Sequence, residues 1–210
     1  MNLAGNFLDA LKKQGQEISD IVKKLSETDY VNDEESFRCF SERLQILSEK
    51  YTYSVREFCI NTFVTEKCKV YENAAEVQEI KIRKEGKIII IDFPILMPRK
   101  KAKEVNYIGE PLKYQFEKIC ENENLKIKEK AVICIIHIYD NVNRKAKCYD
   151  YDNLETKRVL DIITLYTLTD DSPKYCDVYH TVEFSNTNRT RIIVMPSEEF
   201  LNVKNYYKLG

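Results

Sequence analysis

At about Val77 the apolar residues of this 210-residue chain change their spacing, and no other feature restricts its fold as much. Before that point Phe7, Leu8, Leu11, Ile18, Ile21, Val22 and Leu25 recur at intervals near three and four, the period of an amphipathic helix. Phe37, Phe40, Leu44, Leu47 and Tyr51 mark a second helix, which continues, with or without a break, through Val55, Phe58, Cys59 and Phe63. Asn32 followed by Glu35 resembles a capping box at its start. Two antiparallel helices are the simplest arrangement.

After Val77 the period is two. Glu79-Ile80-Lys81-Ile82-Arg83 alternates, Lys84-Glu85-Gly86-Lys87 reads as a turn, and Ile88–Phe93 returns, which is a hairpin signal. A helix is expected near Gly109–Cys120, a strand over Lys130–Tyr139, a strand over Tyr175–Phe184, a turn at 186–188 and a strand over Arg189–Val194. The expected class is α+β. A helical N-terminal hairpin over residues 1–75 precedes a mostly antiparallel or mixed sheet with two packed helices over 76–210.

Charge divides the chain at the same place. Residues 1–80 carry 10 Lys+Arg against 15 Asp+Glu, and residues 81–210 carry 23 against 19. The basic half points weakly to a polyanion partner. The seven cysteines are scattered, odd in number and without a Cys-x-x-Cys, so they spell neither a zinc site nor a disulfide framework. Such usage suits a reducing cytosol. Met1–Ala10 lacks the basic flank of a signal peptide, and no apolar run is long enough to span a bilayer. The expectation is a soluble, cytoplasmic protein with no membrane partner.

The chemistry-bearing stretch is Asp150 to Asp171. Asp150-Tyr151-Asp152-Asn153 precedes an apolar-periodic segment holding Lys157 and Asp161, and Asp170-Asp171 follows it. Each residue has an ordinary explanation. Asp152 or Asn153 would cap a helix, Asp170-Asp171-Ser172-Pro173 would turn, and Lys157 with Asp161 is an i,i+4 pair. As a set they suggest more. Asp150 and Asp152, two apart in an extended segment, project to one side, and a cluster of carboxylates repels itself unless a cation holds it. Oxygen-only ligands favour Mg²⁺ or Mn²⁺, and the usual work of such a centre is phosphate chemistry.

The order Asp-x-Asp-Asn, helix, Asp, loop, Asp-Asp, then strands resembles the RusA-type Holliday-junction resolvases, over roughly residues 86–196. The whole arrangement, extension included, also resembles uncharacterised bacterial proteins with a helical N-terminal extension. The resolvase resemblance implies metal ligands at Asp150, Asp152 and Asp171, with Asp170 replacing or supporting the last, and Lys157 as the assisting base or electrostatic group. It implies Mg²⁺-dependent cleavage of branched DNA, a four-way junction above all, by a homodimer. Lys157 stands four residues after Asn153, one further than the family places its lysine, and Tyr149 fills a position that is often basic.

Basic loops at Arg99, Lys100, Lys101 and Lys103, and at Arg144, Lys145 and Lys147, would contact phosphates, or are merely solvated. The competing function is a catalytically inactive protein of that fold that binds DNA or a protein partner. A third reading has no nucleic-acid role. His137 and His180 lie on apolar or alternating strands and read as structural histidines.

Overall fold

The computed structural model describes residues 3–62, 66–97, 106–140, 150, 151, 154, 156–170 and 172–206. Two compact units divide the chain, Met1–Val70 and Tyr71–Gly210.

The first unit is built on α1 (Leu3–Glu27) and α2 (Glu34–Asn61). Their antiparallel pairing is recorded along its length: the Phe7 and Phe58 rings are 6.4 Å apart, Tyr51 lies against Gly15, and the Lys24 ammonium sits 5.8 Å from the Phe40 ring. Asp33, not Asn32, caps α2, its Oδ1 accepting from the Ser36 amide at 3.1 Å. The preceding turn is closed by Asp29, which accepts from the Val31 and Asn32 amides. The 28 residues of α2 include none that is fully buried, as expected where two helices pack along a single stripe. Helix α3 (Lys67–Val77) runs across the point of division.

The second unit is one five-stranded sheet of order β1-β2-β5-β3-β4. The strands are β1 (Lys81–Glu85), β2 (Ile88–Phe93), β3 (Ala131–Asp140), β4 (Cys176–Ser185) and β5 (Arg189–Pro196). Gly86 makes the β1–β2 hairpin: Glu85 pairs with Ile88, which leaves a two-residue turn, and Gly86 takes φ +63° there. A glycine relieves the Cβ clash that this left-handed position would impose. All pairs are antiparallel except β3–β4, which is parallel over ten residues. Parallel neighbours need a crossover connection, and α5 (Lys157–Thr167) supplies it.

The strand Ala-Val-Ile-Cys-Ile-Ile-His-Ile-Tyr is buried along its whole length because β3 lies inside the sheet with both faces covered. On one face Ile133, Ile135, Ile192 and Val194 meet Ile108, Leu112 and Phe116 of α4 (Asn106–Cys120) and Val159 and Ile163 of α5. Phe116 and Tyr166 stack there at 5.1 Å. A Cβ on Gly109 would come within 2.9 Å of the Arg158 side chain, so this glycine lets α4 and α5 approach closely. The opposite face holds Ile90, Cys134, Ile136, Ile193 and Met195 with Val203 and Phe200 of α6 (Phe200–Tyr206).

Three boundaries differ from the sequence expectation. Helix α4 begins a turn before Pro111, accepting the loss of one backbone donor. Helix α5 starts at Lys157 behind Thr156, whose side chain makes no capping bond, so neither Asp152 nor Asn153 is its cap. Helix α6 was not foreseen, because its seven residues are too few to display a period.

Candidate functional site

The parallel pairing of β3 and β4 brings His137 and His180 together, with His180 opposite Ile135 and His137 opposite Val182. Both project to the face covered by α4 and α5, since Ile133 and Ile135 of β3 and Cys176 of β4 do so and side chains alternate. His137 Nε2 lies 3.2 Å from His180 Nδ1, a hydrogen bond in which one ring donates. Tyr151, from the segment before α5, lies over both, 5.4 Å from the His137 ring and 4.9 Å from the His180 ring.

Burial holds both imidazoles neutral. It pushes His137 down to about 4, with His180 beside it acting in the same direction, and it lowers His180 as well. His137 is inaccessible to solvent, and its Nδ1 has no hydrogen-bond partner among the described residues. Thr190 of β5 faces it across the antiparallel ladder, is 1% exposed, and its Oγ1 likewise has no partner there. Two sequestered polar atoms on paired residues thus lack a partner among the described residues, a state that ordinarily costs about 1–3 kcal/mol per group. Neither imidazole bonds a carboxylate among the described residues, so no orienting acid of the kind found in a catalytic triad is seen among them.

A cavity of about 430 Å³ opens elsewhere, lined by Cys120–Lys126, Leu165 and Tyr166. Burial raises the Cys120 thiol and pushes the Tyr166 phenol up to about 12, so neither is a nucleophile at neutral pH. The histidine cluster, although no large cavity marks it, is the better site on chemical grounds.

Of the predicted aspartates, Asp150 and Asp170 are described, and these two are not brought together. Asp150 is exposed beside Tyr151, at the end of the sheet where His180 lies. Asp170 is exposed at the other end of α5. Its Oδ1 accepts from the Ser172 amide at 2.7 Å, and that contact holds the carboxyl below its usual range. Ser172 in turn accepts from the amides of Tyr175 and Cys176 as β4 begins. His180 is four residues further on, ~13 Å along the strand, and the eleven residues of α5 span ~16 Å. Ligands of one cation lie only ~3–5 Å apart. Lys157 is exposed in the first turn of α5. Asp152, Asp171, Arg99, Lys100, Lys101, Lys103, Arg144, Lys145 and Lys147 lie outside the described residues. Among the described residues no group of three or more His, Cys, Asp or Glu side chains could hold a metal ion, and no helix is long and apolar enough to cross a membrane.

The site that sequence reading missed is the histidine pair. Its signal was present: His137 and His180 each interrupt an apolar stretch of strand. Their meeting depends on β3 and β4 being parallel neighbours in a register that places Ile135 opposite His180.

A family model matches residues 3–203. The chain belongs to DUF6100, a family of unknown function. No curated protein matches it in sequence. Two crystal structures of the periplasmic domain of Helicobacter pylori MotB align at TM-scores of 0.32 and 0.34, with 9% and 11% identity. They cover 61% of this chain and 86% and 88% of theirs. A third structure of a MotB periplasmic domain gives 0.33.

Membership of DUF6100 overturns the resolvase resemblance. The short Asp-x-Asp-Asn order that carried it recurs by chance more readily than a match along nearly the whole chain. The Mg²⁺-dependent junction nuclease falls with it, as do its inactive DNA-binding alternative, the four-way-junction partner and the homodimer inferred from that partner's symmetry. The cytoplasmic assignment is withdrawn too, because scattered cysteines do not fix a compartment and a family of unknown function supplies none. Alignments this weak assign no compartment or partner in exchange.

Proposed function

We propose that this DUF6100 chain is a small-molecule binding protein, whose site is the sequestered polar cluster of His137, His180 and Thr190 on β3, β4 and β5. The observation that carries the reading is that His137 Nδ1 and Thr190 Oγ1, on residues paired across β3 and β5, are both buried and both without a hydrogen-bond partner among the described residues. Buried polar atoms in folded proteins are almost always bonded, so an exception asks for an occupant. A ligand group carrying both a donor and an acceptor would satisfy the two atoms together. The stacking of the His137 ring with those of Tyr151 and His180 makes the surroundings aromatic, which favours a planar ligand body. Neutral imidazoles and the absence of an orienting carboxylate among the described residues favour binding over acid–base catalysis.

Calorimetric titration of the full chain with benzamide, uracil and imidazole tests this. At least one is expected to bind with Kd on the order of 1 mM, a usual strength for so few atoms. Thr190→Val and His137→Phe should each weaken it about tenfold. Binding unchanged in both variants, or no binding of any of the three with only a water bridging the two atoms, overturns the reading.

A further inference from the structure

The two edges of the sheet are built differently. β1 is five residues long and carries Lys81, Arg83 and Lys84. Shortness and charge are the usual means by which an edge strand is kept from pairing with another chain. β4 has neither. It runs ten residues, from Cys176 to Ser185, in unbroken register with β3 and with no bulge, proline, lysine or arginine. No strand pairs with its outer side among the described residues.

The side chains of β4 define what would fit. Val178, His180, Val182 and Phe184 project to the α4/α5 side, and Val178 and Phe184 are 46% and 62% exposed. Tyr179, Thr181 and Glu183 project to the other side, as does Asp177. Lys130 meets the Asp177 carboxylate at 2.6 Å. Glu183 is half-buried and makes no ion pair among the described residues. The edge thus offers an apolar row on one face and an unmet negative charge on the other.

We infer that the outer edge of β4 binds an extended basic peptide segment by strand addition, with apolar side chains on the Val178–Phe184 row and a lysine or arginine against Glu183. Main-chain hydrogen bonds would supply affinity, and the alternating side chains would supply selectivity. A cation there also relieves a carboxylate that has no counterion on its own strand. The inference does not rest on the His137 site, because it uses the backbone edge of β4 with Val178, Val182 and Phe184, although His180 lies on the same row.

The test uses the full chain and a fluorescent, blocked heptapeptide Lys-Val-Thr-Val-Thr-Val-Lys, read by anisotropy. Saturable binding is expected. Replacing both lysines by glutamate should weaken it about tenfold or more, since like charges at an interface cost several kcal/mol. Methylating alternate amides of the peptide should abolish binding while leaving the protein untouched. Glu183→Lys should reverse the preference to the glutamate peptide, which separates loss of charge matching from loss of fold. Equal binding of the lysine and glutamate peptides, or undiminished binding of the N-methylated one, overturns the inference. Sedimentation showing that β4 pairs with a second copy, and that the peptide cannot compete, overturns it as well.

Discussion

His137 Nε2 lies 3.2 Å from His180 Nδ1, so one N–H bridges the two imidazoles across β3 and β4. Burial keeps the pair neutral, because charging either ring would strand a cation away from water.

Stability should therefore fall in mild acid. His137 titrates near 6.5 when unfolded and is pushed down to about 4 in the fold. Between those values the unfolded chain holds a proton that the folded chain does not, so folding loses stability as pH falls through this window and regains it as pH rises. The expected change is roughly 3 kcal/mol from His137, with His180 adding in the same direction. Urea denaturation of the full chain at intervals between pH 7 and pH 4 measures it. His137→Phe should flatten most of the slope, and an unchanged slope in that variant would refute the assignment.

Thr190→Val should stabilise the ligand-free protein. The hydroxyl is buried and has no partner among the described residues, so replacing it by an isosteric methyl removes a desolvation cost. A gain of about 1 kcal/mol is expected. A loss of similar size in the same denaturation experiment would mean that the hydroxyl is bonded.

Asp92 should matter more than its place near the end of β2 suggests. Burial alone would raise its carboxyl, but hydrogen bonds from Arg191, at 2.6 Å, and from Arg83 outweigh that and hold it below its usual range. Asp92→Ala leaves Arg191 without this counterion and should cost about 2 kcal/mol. Arg83→Ala, at a side chain 40% exposed, should cost under ~1 kcal/mol. Equal costs for the two in thermal unfolding would contradict this ranking.

Gly86→Ala should cost about 1 kcal/mol, because the turn places that residue at φ +63°. Gly109→Val should cost more, about 1–3 kcal/mol, since the new side chain meets Arg158 where α4 crosses α5. If the second substitution proved the milder one, the two helices would have to be more loosely packed than the structure shows.

Most of the fold was legible because it rests on local periodicity. The helical pair, the Gly86 hairpin and the strands at 131–140, 176–185 and 189–196 were each written in a single stretch of chain. The parallel β3–β4 pairing was not, because it follows from where α5 returns the chain rather than from any one segment. The candidate site depends on that same long-range pairing. His137 read as an ordinary buried histidine, and only its register against Thr190 and its contact with His180 distinguish it. The aspartates misled for the converse reason. Asp150 and Asp170 are near in sequence pattern, yet α5 and β4 hold them at different ends of the sheet.

The central claim is that His137 and Thr190 await a ligand. Ring-nitrogen NMR of the full chain, recorded with and without saturating benzamide, tests it most directly. The account predicts that the His137 Nδ1 resonance moves on binding, as an unbonded buried nitrogen acquires a partner, and that the Thr190→Val protein shows a much smaller change at the same ligand concentration. A His137 Nδ1 resonance that is already that of a hydrogen-bonded nitrogen in the free protein, and that stays fixed when benzamide is added, would contradict it.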